Sequence, residues 1–515
     1  MHPVLLIDEV LRIIFDHVDH HPSPPSDLKA FYRLATVCRA WKDPALDYLW
    51  SSLVSVDPLL ALLPRVSDAP SYIPSDALAR FHAYSSRVRN VGQSVGSVPV
   101  LKLGPNITHA IAKGNIVLPS LRSVHLVFQD PTRQDFPLDL YLSRSLQCVS
   151  VDVGFRASKE TDGLRESLHV YLDAVARVST NLQHLCLRGR LSDRVVNSVA
   201  CMRELRSLSI CGGSQLMPRT LSSIACFPNL EDLRLQLNCP SISDLAEGLG
   251  SASSDTALFP SLRALRIRVP PAAAEVFFAH VPQGRLHTVH LESDLKPRSV
   301  DSWTPALAIL AERAHSSLTD FSFDALTSFC EGFDHALPPK LHITLATLAP
   351  LARLAHLRRF ALDASVPPDL ADADLATLAS WWPKIEELVL WSRPVDAFDR
   401  PAYFTAAQTR ATTPSSLTVL ARRCPRLRRL SLPTDVAVLP PPAHPPLVLP
   451  SQTALARLTI GCVRTGKTID PAGLAECIYH AFPALEELEF DCGDETSWAD
   501  VLERYFGLGG HAAPI

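Results

Sequence analysis

Phe227-Pro228-Asn229-Leu230-Glu231-Asp232-Leu233-Arg234-Leu235 and Phe482-Pro483-Ala484-Leu485-Glu486-Glu487-Leu488-Glu489-Phe490 carry one pattern at two distant points of the chain. A lead-in ending in proline and one further residue is followed by apolar residues spaced as 1, 4 and 6. Positions 4 and 6 alternate with polar neighbours, which is the period of a strand with one buried face. Working outward, the same triplet recurs thirteen times, from Leu121/Val124/Leu126 to Leu485/Leu488/Phe490, at a mean spacing of about 30 residues. The lead-in returns at Phe259-Pro260, Trp382-Pro383 and Cys424-Pro425.

Stretches between triplets read as helices, among them Gly163–Val178, Trp303–Ala314, Leu341–Arg353 and Pro471–Ala481. Before the last of these, Asp470-Pro471 supplies an N-cap and a proline at the first helical position. A strand and a helix repeated every 30 residues cannot bury their apolar faces alone, whereas stacked neighbours can. The pattern resembles the leucine-rich-repeat family over residues 118–492, although the Asn/Cys position after the triplet is not regularly kept. The fold class expected is α/β, with an irregular repeat solenoid of parallel strands inside and helices outside.

Composition narrows the function. The 515 residues include 49 basic and 53 acidic ones, a net charge of −4, which argues against a nucleic-acid binder with a strongly basic face. There are 43 prolines against 20 glycines, so rigid breaks are common and phosphate-cradling loops few. The twelve cysteines show no C-x-x-C and no zinc-finger spacing. The N-terminus lacks a signal-peptide pattern and no apolar run is long enough to span a membrane, so the expected location is cytoplasmic, nuclear or both.

The first 64 residues read differently. Apolar positions 10, 11, 14, 15 and 18 mark a helix over Asp8–Val18, and Leu28, Phe31, Ala35 and Cys38 mark a second over Asp27–Arg39. Asp43-Pro44 reads as the N-cap and first position of a third, bearing Leu46, Leu49 and Trp50. The histidine- and proline-rich loop over residues 19–27 is read as solvated, with no metal site. Three short helices hold a small core and are expected to leave an apolar face for a partner. The motifs Glu9-Val10-Leu11-Arg12-Ile13-Ile14-Phe15, Leu34-Ala35-Thr36-Val37-Cys38-Arg39-Ala40-Trp41, Pro44-Ala45-Leu46 and Leu49-Trp50 resemble an F-box, with Leu6-Ile7 where that family has Leu-Pro.

An F-box opening a leucine-rich array is the layout of substrate receptors in Skp–cullin–F-box ubiquitin ligases. The resemblance implies a non-catalytic adaptor without cofactor. Its partners would be a Skp-type linker, a cullin reached through it, and a protein target, with no nucleic acid or membrane. A scaffold acting outside ubiquitination is the alternative. The division expected is an F-box-like domain over 1–64, a connecting segment and cap over 65–117, and the array over 118–515. The linker-docking residues expected are Leu11, Ile14, Phe15, Val37, Cys38, Trp41 and Trp50. On the open strand face, Arg234, Arg266, Arg268, Glu292, Asp324, Asp363 and Trp391 are expected to bind the target, Trp391 being read equally as an outward anchor or as packed under the loop over 393–415.

Two catalytic patterns compete with this. Gly461-Cys462-Val463-Arg464-Thr465-Gly466-Lys467-Thr468 matches the phosphate-binding loop and would imply a nucleotide-binding enzyme. The helix start at Asp470-Pro471 comes too late for the lysine, and too little chain follows for the rest of such a domain. Gly92-Gln93-Ser94-Val95-Gly96 matches the hydrolase nucleophile elbow, but the extended sequence after it reads as a glycine-rich turn following a strand over 87–91. The proline run Pro440–Pro446 reads as a rigid insertion between repeats.

Overall fold

Residue 4 of every triplet becomes a buried strand residue, residue 6 does so in all but Leu390, which is buried just past its strand, and Phe490, which is half-buried, and the strands stack in register. The computed structural model describes residues 2–19, 26–63, 74–95, 117–129, 136–155, 162–215, 217–238, 241–250, 257–294, 300–326, 342–364, 368–391, 412–439, 452–462, 470–491 and 495–508. The chain divides into two units, Met1–Leu230 and Glu231–Ile515.

The first unit begins with the helices α1 (Asp8–Asp19), α2 (Ser26–Ala35) and α3 (Arg39–Ser51). Their core is Leu11, Phe15, Phe31 and Ala45, with Trp41, Tyr48 and Leu49 packed against it. Phe15 meets Phe31, Trp41 and Tyr48 edge-on, with ring centroids 5.7–5.9 Å apart. The third helix starts four residues before the expected Asp43 cap, and Pro44 lies inside it, buried. The cause is the apolar stripe Trp41, Ala45, Tyr48 and Leu49, whose burial outweighs one lost backbone hydrogen bond. Asp43 instead pairs with Arg87 at 2.8 Å.

The strands of this unit are β1 (Ser52–Leu53), β2 (Asn90–Val95), β3 (Ser123–Phe128), β4 (Cys148–Asp152), β5 (His184–Gly189) and β6 (Ser207–Gln215). They pair in parallel, each with the next in sequence. The second unit continues the numbering with β7 (Asp232–Asn238), β8 (Ala264–Arg268), β9 (Thr288–Asp294), β10 (Asp320–Leu326) and β11 (Arg359–Ala364). It ends with β12 (Glu387–Val389), β13 (Arg429–Thr434), β14 (Arg457–Cys462) and β15 (Glu487–Asp491). These too are parallel in sequence order. The architecture is the α/β leucine-rich-repeat fold, with a helix, 3-10 turn or loop between most neighbouring strands.

Residue 4 of each of the thirteen triplets lies on one of β3–β15. The ladder nevertheless starts earlier, because β1 and β2 precede residue 118. In β2 the triplet reads Val88/Val91/Gln93, and Gln93 is buried with its amide oxygen accepting from Tyr141 Oη at 2.5 Å and Val56 N at 3.4 Å. A hydrogen-bonded polar residue can occupy a core position that the apolar pattern assigns to leucine. The strand also contains Gly92–Val95, so that segment is no turn.

A backbone ladder holds the strand entries together. Arg358 O accepts from Glu386 N and Glu387 N at 2.7 and 2.9 Å, and Arg428 O from Ala456 N and Arg457 N at 2.9 and 3.1 Å. Such doubly used carbonyls satisfy the amides at each bend without an asparagine side chain. At the C-terminal end, Tyr505 on the helix Glu495–Leu508 donates to Phe482 O at 2.6 Å and accepts from Leu485 N at 3.1 Å. No helix among the described residues is long and apolar enough to cross a membrane.

Candidate functional site

Strand alternation puts Leu233, Leu265, Val289, Phe321 and Phe360 into the core and their immediate neighbours on the open face. The register aligns Arg234, Arg266, His290 and Ser322 in one row, and Arg268, Glu292, Asp324 and Asp363 in the next. A charged network spans these rows. Arg266 Nε and Nη2 each lie 2.8 Å from Glu292 Oε1, and Gln236 Nε2 donates to Glu292 Oε2. His290 Nε2 lies 2.8 Å from Asp324 Oδ2 and 3.3 Å from Glu292 Oε1, while its Nδ1 is 2.5 Å from Ser322 Oγ.

Glu292 is 8% exposed, and burial alone would raise its pKa. Hydrogen bonds from His290 and Arg266 outweigh burial and hold it at about 2. Burial would lower His290, but Asp324 and Glu292 outweigh it and its pKa is raised. Three groups here, His290, Glu292 and Asp324, could hold a metal by spacing alone, their ligand atoms lying within 4.8 Å of one another. Both oxygens of Glu292 are already committed, however, and the Arg266 guanidinium opposes a second cation beside it. The arrangement is a charge relay, Arg266–Glu292–His290–Asp324, that ties the three strands β8–β10 together. It leaves Arg268 and Asp363 exposed on either side.

Trp391 departs from the outward reading. It is 7% exposed rather than outward, and its indole lies against Gly461 of β14, where a Cβ would collide with the ring. Ser431 of β13 donates its hydroxyl to Trp391 O. A large aromatic at the end of a three-residue strand gains more by folding across two neighbours than by facing water.

The same contact explains the first glycine of the phosphate-loop pattern. Residues 463–469, including Lys467 and Thr468, lie outside the described residues. The next helix opens at Pro471, and Asp470 Oδ1 accepts from Ala472 N and Gly473 N at 3.1 Å each. The amides that would face a phosphate are occupied by the chain's own carboxylate. Ser94 of the other pattern sits inside β2, paired in register with Val127, and not on a sharp turn. The proline run at 440–446 and the loop after Trp391 up to residue 411 are also outside the described residues.

The expected docking residues divide. Leu11 and Phe15 are completely buried in the helical core, so the docking role expected of them is corrected to a packing role. Trp41 is half-buried, its ring edge-on to Phe15 and its Nε1 donating to Leu5 O at 2.8 Å. Trp50 packs on Tyr84, ring centroids 4.6 Å apart, and Cys38 is half-buried at the N-cap of α3. Ile14 and Val37 are exposed, at 37% and 52%. The sequence reading missed Leu6, Ile7, Ile13, Leu28 and Tyr32, all exposed. Leu28 and Tyr32 stand one turn apart on α2, a spacing that could have signalled an outer apolar face.

No protein-family model and no curated protein matches the chain. Among solved structures it is similar to an internalin of Listeria monocytogenes, at 13% identity over 86% of this chain and 95% of that one, with a TM-score of 0.34. The leucine-rich-repeat ectodomain of the receptor kinase GASSHO1/SCHENGEN3 from Arabidopsis thaliana is 11% identical over 81% of this chain and 52% of that one, with a TM-score of 0.23. The Arabidopsis receptor kinase HAESA is 12% identical over 78% and 54%, with a TM-score of 0.28. The chain spans about half the length of these two receptors. The fold assignment rests on the strand register described above.

Proposed function

We propose that the protein is a non-catalytic adaptor of a Skp–cullin–F-box ubiquitin ligase, in which the helices within residues 1–64 dock on a Skp-type linker and the repeats hold a protein target. The observation that carries the reading is the contrast within α1–α3. A satisfied core of Leu11, Phe15, Phe31 and Ala45 coexists with exposed Ile13, Ile14, Leu28, Tyr32 and Val37. A monomer gains nothing from displaying so many large apolar groups within about 25 residues, whereas a docking module does. The docking face is therefore Ile14 and Val37 with the exposed residues around them. Leu11, Phe15 and Trp41 hold that face in shape. Arg234, Arg268 and Asp363 beside the charge relay are the target-contacting residues of this proposal, and the adaptor works in the cytoplasm, the nucleus or both.

The test is co-purification with a Skp-type linker and its cullin, followed by ubiquitin transfer to a captured partner. Ile14→Asp with Val37→Asp should abolish linker binding and leave the fold intact, since both sites are exposed. Undiminished binding by that folded variant would refute the docking face. Linker binding with no ubiquitin transfer to any captured partner would favour a scaffold outside ubiquitination.

A further inference from the structure

The chain as a whole is slightly acidic, at −4, yet five arginines fall within eight residues at Arg422, Arg423, Arg426, Arg428 and Arg429. They gather at one end of the strand ladder, where the helix Ser415–Arg423 turns into β13, and all five are exposed. Two have a local explanation: Arg422 and Arg423 complete the last helical turn, where cations oppose the helix dipole, and Arg423 also donates to Ala376 O at 2.7 Å. The other three do not. Arg426, Arg428 and Arg429 make no ion pair among the described residues.

Their isolation follows from the register. Arg429 is flanked by Glu387 of β12 and Arg457 of β14. Three of the nearby carboxylates are taken by other arginines: Glu387 lies 2.9 Å from Arg359, Glu386 3.8 Å from Arg358 and Glu487 3.2 Å from Arg457. The patch is thus a positive window bounded by glutamates on both sides, at β12 and β15. With strands about 4.8 Å apart, the window between those glutamates spans about 15 Å, the length of four or five extended residues.

We infer that this end of β12–β15 is a docking surface for a short acidic segment of a protein partner, held by Arg426, Arg428 and Arg429. Arginine forks suit carboxylates, and unpaired guanidiniums are free to meet them without breaking an existing pair. A continuous polyanion such as nucleic acid fits worse, because Glu386, Glu387, Glu486 and Glu487 repel it on either side of the window. The surface is separate from the charge relay on β8–β10, and the inference stands whether or not the helical module binds a Skp-type linker.

Fluorescence anisotropy with a labelled hexaglutamate peptide and the full chain tests it. Binding should appear at 50 mM salt and weaken at least tenfold in Arg428→Glu/Arg429→Glu. The same charge change at two exposed arginines of the first unit, Arg203→Glu/Arg219→Glu, should leave it within twofold. Melting curves of both variants should match the wild type, because every substituted side chain is exposed. Absence of peptide binding by the wild type, equal loss in the two variants, or a single-stranded oligonucleotide binding as tightly as the peptide would overturn the inference.

Discussion

Replacing Gly461 by alanine places a methyl group into the indole of Trp391 across two strands. Gly461 is not in a left-handed conformation, so backbone strain plays no part and the cost is steric. Overpacking of this kind costs about 1–3 kcal/mol. Trp391→Ala should cost about 3–5 kcal/mol, because it empties a site that is 7% exposed. With the ring gone, the three atoms nearest the added methyl are gone too, and Gly461→Ala should be neutral or stabilise by about 0.4–1 kcal/mol through the unfolded chain. The effect of one methyl group should therefore change sign between backgrounds. Urea unfolding of the four proteins of the cycle, followed by far-UV circular dichroism, reads the coupling directly. Equal destabilisation by Gly461→Ala with and without Trp391 would refute the steric account. It would also reopen a backbone role for the glycine, and ATP with Mg²⁺ would then be expected to raise the melting temperature of the wild type.

The charge relay makes stability depend on pH in two windows. Glu292, held at about 2 against an ordinary 4.5, contributes on the order of 3 kcal/mol above its ordinary value, lost as pH falls toward 2. His290 is shifted upward, so its contribution is complete below its ordinary value and disappears as pH rises through the raised one; His290→Gln should remove the fall in urea midpoint as pH rises above the ordinary histidine value. Arg266→Glu should destabilise by about 2 kcal/mol or more by stranding buried Glu292, whereas Arg268→Glu should weaken target capture. Tyr505→Phe leaves Phe482 O and Leu485 N without their partner and should cost about 1–3 kcal/mol, seen as faster amide exchange over residues 482–488.

The repeats were legible because burial acts on each strand separately: residues 4 and 6 of every triplet must be apolar, and each of the thirteen triplets marks one strand. What a linear pattern cannot carry is pairing between distant residues. Gln93 hid the extent of β2: a strand was expected only over 87–91, because the Tyr141 hydroxyl that lets Gln93 be buried is 48 positions away. Trp391 read as outward by parity, yet its surroundings were set by a glycine 70 positions later. On the open face, His290 and Glu292 could be placed from the sequence, but Ser322 and Asp324 become their partners only through the register of β9 and β10. In the helical module three helices were expected and three stand, but the end of the second, the start of the third and the faces of Leu11 and Phe15 differ from the expectation. Three short helices must spend their central aromatics on their own core before any partner is met.

The most direct test of the central claim is equilibrium binding of the purified full chain to a purified Skp-type linker, measured by titration calorimetry. The account predicts one-to-one binding that Ile14→Asp/Val37→Asp abolishes and Arg268→Glu leaves unchanged. A folded wild-type chain that releases no heat and shows no association with the linker would contradict it.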